Sequence, residues 1–322
     1  MKRFDHNFEE LISIENLLLA WQEFLRGKKS KKDVQEFQLH LMDNILALHR
    51  DLSNGTYKHS GYRRRNINDP KPRVIHIPMV RDRLIHHTVY RKLYPFFDRA
   101  FIADSFSCRD FKGTHKAAKK FLNFAQIVSK NNTQTCWVLK CDVRKFFASI
   151  DQEVLINILD EKISDKRIVG LLKEIIGSFP AGLPLGNLTS QLFCNIYMNE
   201  FDQFVKHGLK IDHYIRYADD FVILSPNKEE LESLIPMIAD FLQESLKLEL
   251  HPDKVFIKRI SAGVDFLGWV HFTDHRVLRN TTKKRMMKKL NVKNISSYVG
   301  LIKHGNSYKI RENLLKTYET QK

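Results

Sequence analysis

Two apolar runs, Tyr214-Ile215-Arg216-Tyr217 and Phe221-Val222-Ile223-Leu224, are parted by only three residues, Ala218-Asp219-Asp220. Runs of this length rich in Ile, Val, Phe and Tyr read as strands, and so short a gap joins them as a tight hairpin. Its tip carries two adjacent carboxylates with buried strands behind them. Asp is also an ordinary turn residue, because it tolerates turn geometry and bonds its own backbone. A third acid in matching context gives the pair its weight. Trp137-Val138-Leu139-Lys140-Cys141 reads as a buried strand ending at Asp142. Val143 to Asp151 then leads into a helical pattern at Val154, Leu155, Ile158 and Leu159. A carboxylate at the end of one strand can face a hairpin tip on its neighbour. Hard oxygens so placed suit Mg²⁺. Two such ions about 3.5–4 Å apart serve in-line phosphoryl transfer, one activating a 3′-hydroxyl and one neutralising the leaving pyrophosphate.

Charge points the same way. The chain has 322 residues, 43% hydrophobic, enough for one or two domains, and a formal charge of +16. A surplus of that size favours a polyanionic partner, since each neutralised phosphate releases counterions. It is also localised: residues 281–322 hold 11 Lys and Arg against Glu312 and Glu319, a local +9. Cys108, Cys136, Cys141 and Cys194 show no Cys-x-x-Cys spacing, which excludes a structural zinc motif and leaves them as reduced packing residues. No apolar run has the length of a membrane span and the N-terminus lacks a signal-peptide core, so the expectation is a soluble, cytoplasmic protein without membrane partners.

At the N-terminus, residues 13–25 place Ile14, Leu17, Leu18, Trp21 and Leu25 on one helical face. A basic linker, Arg26 to Lys32, follows. A second helix is read through Val34, Phe37, Leu41, Ile45, Leu48 and Leu52, ending at Asn54-Gly55. Tyr62 to Asn66 and Arg73 to Ile77 read as strands around an Asn68-Asp69-Pro70 turn.

The order of these segments resembles the reverse transcriptases over residues 55 to 290. Tyr217-Ala218-Asp219-Asp220 is similar to that family's Tyr-x-Asp-Asp box, and Cys141-Asp142-Val143-Arg144-Lys145-Phe146-Phe147 to its first catalytic box. Gly182-Leu183-Pro184-Leu185-Gly186-Asn187-Leu188-Thr189-Ser190-Gln191 looks like the loop and helix that support template and incoming nucleotide. Leu250 to Lys254 and Val264 to Trp269 are similar to the last palm box and the primer grip. The resemblance implies an α+β right-hand polymerase of fingers, palm and short thumb, its palm an antiparallel sheet backed by helices. The implied divisions are a helical extension at 1–54, fingers at 55–135, palm at 136–275 with 151–186 partly fingers, and a short basic thumb at 276–322.

Roles follow by the same resemblance. Asp142, Asp219 and Asp220, with the Val143 carbonyl, would hold two Mg²⁺ or Mn²⁺ ions per site. Arg73 and Arg83 would meet the nucleotide triphosphate, whereas Arg81 reads as surface charge and Lys71 is not assigned. Phe147 would fill the volume a ribose 2′-hydroxyl needs, with Phe146 as packing. Leu185 and Gly186 would lie at the nucleotide, Gly182 and Gly186 allowing close backbone approach. The helix after them begins near Asn187 or Thr189. Gln191, Tyr217, Ala218, Phe266, Leu267, Gly268 and Trp269 would support template and primer, the last four on a strand beneath the primer. Lys254 is either the acid that protonates pyrophosphate or a solvated turn lysine, and both readings stand.

Leu185 departs from the common pattern, where many members have Gln, and the Leu-Gly-x-x-x-Ser-Gln form is similar to that of diversity-generating retroelement enzymes. A leucine cannot hydrogen-bond near a nascent pair, which is a physical route to low fidelity. The expected activity is RNA-directed DNA synthesis from dNTPs on an RNA template with a DNA or RNA primer. A phage-defence enzyme with its own structured non-coding RNA fits the residues as well. A metal-dependent nuclease would not need the loop-helix box, and a non-catalytic RNA-binding relative would be expected to lose an acid. The short stretch after Arg279 leaves no room for a maturase or endonuclease domain, which argues against a mobile-intron protein. It also predicts dependence on a partner for holding primer and template, either a structured RNA or a small basic accessory oligomer.

Overall fold

The computed structural model describes residues 3–68, 72–291 and 293–319. The Asp69-Pro70 turn and Lys71 lie outside the described residues. The chain divides into two compact units that it enters more than once, residues 1–102, 143–204 and 241–249 in the first and 103–142, 205–240 and 250–322 in the second.

Helices dominate the first unit. Ile14–Phe24 packs against Val80–Asp98, which packs in turn against Leu188–Gln203. In Ile14–Phe24 the buried stripe is Leu17, Ala20, Trp21 and Phe24, while Ile14, Leu18 and Leu25 are only half-buried. The stripe is therefore rotated from the one read in the sequence, because small Ala20 allows close approach on a face that a list of large side chains omits. The second helix read in the sequence is two, Lys32–Leu39 and Leu41–Ser53, broken at His40 with φ −120° and ψ 40°. Neither Gly nor Pro marks that break. Asn54 caps the second of them, and Gly55 follows with φ +68°. Two strands, β1 (Tyr62–Ile67) and β2 (Arg73–Pro78), form an antiparallel ribbon with Ile67 opposite Arg73.

The second unit is built on a four-stranded antiparallel sheet. Its strands are β3 (Trp137–Asp142), β4 (Tyr214–Tyr217), β5 (Asp220–Ser225) and β6 (Phe256–Arg259), in the order β4-β5-β3-β6. One sheet face, with Val138, Ile215, Val222 and Leu224, packs on Phe121, Phe124 and Val128 of the helix Thr114–Val128. That burial fixes register, because a one-residue slip would turn every apolar side chain to the other face.

A smaller antiparallel sheet follows, formed by β7 (Val264–Phe266), β8 (Trp269–His271) and β9 (Arg276–Leu278). The boundary read at residue 275 thus falls between two of its strands. Trp269 and Leu278 then nucleate a separate core with Met286, Leu290, Ile302, Ile310 and Leu314 from the helices Asn280–Lys289, Ile295–Ile302 and Tyr308–Glu319. Of the cysteines, Cys136, Cys141 and Cys194 are buried as packing residues, but Cys108 is exposed, set outward by a left-handed backbone at φ 51°. Among the described residues no helix is long and apolar enough to cross a membrane.

Candidate active site

β4 and β5 meet in a two-residue turn, since Tyr217 pairs with Asp220 and only Ala218 and Asp219 lie between. Asp220 is the first residue of β5, one position earlier than the apolar run suggested. Its partner across the sheet on the other side is Asp142, directly opposite in the β3–β5 register. Residues so paired lie about 4.5–5.5 Å apart at Cα. Two carboxylates therefore share one face of neighbouring strands, with the third at the adjoining turn.

The turn is held in a conformation it would not choose alone. Ala218 has φ 57°, a left-handed setting that costs an L-residue about 1–2 kcal/mol. Arg216, fully buried, braces it: one guanidinium nitrogen donates to the Ala218 carbonyl at 3.1 Å and another to Ser105 Oγ at 3.1 Å. The sequence shows Arg216 only as a polar interruption in an apolar strand; its bracing role needs the tertiary partner.

Two lysines balance the acids. Lys254, in the short 3₁₀ turn Pro252–Lys254, donates to Asp142 Oδ1 at 2.7 Å, and the His251 amide donates to the Asp142 carbonyl at 2.7 Å. Lys140 lies 3.3 Å from Asp220 Oδ2. Lys140 was not singled out in the sequence, although the strand period marks it: two residues before Asp142, it must share that residue's face. Burial pushes the Asp220 carboxyl up to about 7, with Asp142 and Asp219 adding to the rise and Lys140 opposing it.

The acids present only hard oxygen donors, and Asp220 Oδ1 is buried with no hydrogen-bond partner among the described atoms. An orphaned anionic oxygen beside two more carboxylates fits a divalent cation. Among the described residues, however, no group of three or more His, Cys, Asp or Glu side chains is gathered as a metal cage. In this arrangement Asp220 and Asp142 are instead paired with the Lys140 and Lys254 ammonium groups.

The residues assigned to the primer by resemblance differ in burial. Phe266 is fully buried against Phe121, with ring centroids 5.5 Å apart, and Trp269 is only 3% exposed with the Arg276 guanidinium over its ring. They are core residues, and the expected continuous strand is a hairpin. Leu267 and Gly268 form its two-residue turn with φ 53° and 85°, the two positive values of a type I′ turn. Only these two stand toward the surface. Tyr217 is half-buried against the same core as Phe266 and lies at hydrogen-bonding range of Ser107.

The first unit holds the remaining candidates. Val143 is buried. Phe146 is buried and Phe147 half-exposed, the division that an outward Phe147 requires. Leu183 N donates to the Phe147 carbonyl at 2.7 Å, and a Cβ on Gly182 would sit 2.3 Å from that oxygen. Gly182 thus allows close approach of its backbone to Phe147 and Ala148. Leu185 accepts a hydrogen bond from His76 N at 2.9 Å, tying its loop to β2, while Asn187 caps the helix Leu188–Gln203. Arg73 is exposed at the end of the β1–β2 ribbon, and β1 adds exposed Arg63, Arg64 and Arg65, which sequence reading passed over. Arg83, Gly186 and Gln191 line one cavity of about 260 Å³ with Lys28 and His87. Arg83 is also ion-paired with Asp33 and lies over the Phe24 ring. Arg81 is likewise structural, paired with Asp51 at 2.7 Å.

Comparison with known proteins agrees with this geometry. The profile of the family "Reverse transcriptase (RNA-dependent DNA polymerase)" matches residues 63–271. Protein YkfC of Escherichia coli (strain K12) is 27% identical over 295 residues, covering 78% of this chain and 75% of that protein. The group II intron-encoded protein LtrA of Lactococcus lactis subsp. cremoris is 25% identical over 321 residues, covering 76% of this chain and 52% of its own length. Among solved structures, telomerase from Candida albicans in complex with a fragment of telomeric RNA superposes with a TM-score of 0.53 at 13% identity, covering 76% of this chain and 51% of that one. The chain therefore spans three quarters of YkfC but only about half of LtrA and of the telomerase. The telomerase likeness shows the fold, an α+β right-hand polymerase. LtrA shows that such a core also occurs in intron-encoded proteins, so the sequence-level argument against that kinship, drawn from length, does not hold. The matched segment contains all three acids, the Gly182–Gln191 stretch and the hairpin turn at Leu267: the chain belongs to the reverse transcriptase family, the RNA-dependent DNA polymerases.

Proposed function

We propose that this chain copies an RNA template into DNA by two-metal nucleotidyl transfer at Asp142, Asp219 and Asp220. The observation that carries the reading is the direct pairing of Asp142 with Asp220 across β3 and β5, beside Asp219 in a braced turn. Asp142, Asp219, Asp220 and the Val143 carbonyl would hold Mg²⁺ or Mn²⁺, which when bound lowers the pKa of the primer 3′-hydroxyl and neutralises the departing pyrophosphate. Lys254 is within reach of the same carboxylates, where an ammonium could return a proton to pyrophosphate. Exposed arginines on β1 and β2 suit the triphosphate. The partners are an RNA template, a DNA or RNA primer and dNTPs, with the basic helix Asn280–Lys289 offering phosphate contacts.

The finer reading is error-prone copying of the kind a diversity-generating retroelement uses. It rests on Leu185, an apolar side chain where hydrogen bonding to the nascent pair would otherwise be available. Phage defence with a dedicated non-coding RNA would use the same site on a different template. Errors in cDNA made from a defined RNA separate the finer reading from the coarser one: a high misincorporation frequency supports it, and faithful copying removes it. The role assigned to Phe147 is tested by sugar discrimination. Phe147→Ala should raise ribonucleotide over deoxyribonucleotide incorporation by about tenfold or more, the scale of one steric contact removed from a site built around it. Unchanged discrimination would make Phe147 a packing residue.

A further inference from the structure

One large apolar side chain is almost wholly in solvent. Phe111 is 89% exposed, more than any other large hydrophobic residue described, and its backbone is left-handed at φ 59°. An aromatic residue disfavours that conformation, and exposure gains it nothing within the fold. The loop that carries it is nonetheless firmly built. Gly113 N donates to the Phe106 carbonyl at 3.0 Å, closing the loop at its base, and Lys112 Nζ donates to the Ala103 carbonyl at 2.6 Å while lying over the Phe106 ring.

The base of this loop is stitched to the strand that leads into the acidic turn. Arg216 N donates to the Asp104 carbonyl and Phe106 N to the Arg216 carbonyl, both at 3.0 Å, so Ser105 extends the free edge of β4. Ser107 meets the Tyr217 phenol. Four Cα steps of about 3.8 Å bound the distance from Ser107 to Phe111 to roughly 15 Å. Phe111 thus stands on a loop anchored beside the strand that ends at the acidic turn.

Cations outnumber acids along this stretch, with Arg109 and Lys112 in the loop against exposed Asp110, and exposed Lys116 and Lys119 on the following helix. A protein-docking surface needs a contiguous apolar patch, and this segment presents a lone ring in a mainly cationic stretch. Aromatic faces beside cations are how single strands are held: the ring stacks on a base and the cations take the phosphates. A base inside a duplex already has both faces covered, so only an unpaired strand offers one.

We propose that Phe111 is a stacking contact for an unpaired base of the template strand. The inference rests on the polymerase reading for the identity of the strand, not for the contact. Affinity should be measured for the full chain, by fluorescence anisotropy, on a DNA-primed RNA with a ten-nucleotide 5′ template overhang and on the same duplex made blunt. Phe111→Ala and Phe111→Leu should weaken overhang binding by about fivefold or more, leave blunt-duplex binding and the melting temperature unchanged, and Phe111→Trp should restore wild-type affinity. Equal affinity of Phe111→Ala and wild type for the overhang overturns the proposal. So does a loss equal on both substrates, a Leu variant as good as Phe, or a wild-type oligomer that Phe111→Ala converts to monomer. The assay reads binding without turnover, so a wild-type protein that fails to extend primers would count against the polymerase reading and leave the Phe111 contact standing.

Discussion

Asp219→Asn is expected to lower primer extension on RNA by roughly 10³-fold or more, while RNA binding stays near wild type. Asn matches Asp in shape but gives up the charge. A carboxylate that holds a metal ion on the reacting phosphate supports charge stabilisation worth several kcal/mol in the transition state, and each 1.36 kcal/mol is tenfold in rate. The turn should survive the exchange, because its φ strain is at Ala218 and its brace runs from Arg216 to the Ala218 carbonyl. Single-turnover incorporation and RNA affinity, measured on the same preparations, check it. Near-normal extension by the variant would remove Asp219 from the metal site.

Asp220→Asn should have the opposite effect on stability. The Asp220 carboxyl is pushed from an ordinary 3.8 up to about 7, first by burial and then by Asp142 and Asp219. The folded state therefore binds a proton that the unfolded state has already released between about pH 4 and pH 7. The unfolded state then holds fewer protons, so this group's contribution to stability falls as pH rises through that window. An amide cannot ionise and still accepts from Lys140. In EDTA the variant should match wild type near pH 4 and be more stable by about 1–3 kcal/mol at pH 8, part of the shift being offset by the Lys140 pair. Denaturant melts at the two pH values decide it. A variant less stable at pH 8 would mean that the Lys140–Asp220 pair is net favourable and that the acid site is not stabilised by losing a charge. The same substitution should abolish any stabilisation of the protein by Mg²⁺, since ligand binding to the native state is what supplies it.

What the sequence disclosed and what it hid divide along physical lines. Asp142, Asp219 and Asp220 were legible because strand periodicity and a short turn are local, and each acid sits where an apolar run stops. Lys140 was equally local, two residues from Asp142, yet it passed for part of a buried strand. The chain reversal between Phe266 and Trp269 escaped the sequence for another reason. Its turn uses Leu267 at positive φ, and leucine carries no turn signal, so only Gly268 hinted at the reversal. Burial of Trp269 depends on helices that follow it in the chain. The pairing of Arg83 with Asp33 joins residues fifty positions apart, and no periodicity encodes such a partner. The two compact units were hidden too, because each is assembled from three separate stretches.

The most direct measurement is extension of a labelled DNA primer annealed to RNA by the full chain with dNTPs, the product then challenged with alkali. The account predicts an alkali-resistant product that requires Mg²⁺ or Mn²⁺ and disappears with each of Asp142→Asn, Asp219→Asn and Asp220→Asn. A folded wild-type protein that binds the primed RNA yet makes no such product with either metal would contradict it, as would synthesis that survives loss of the acids.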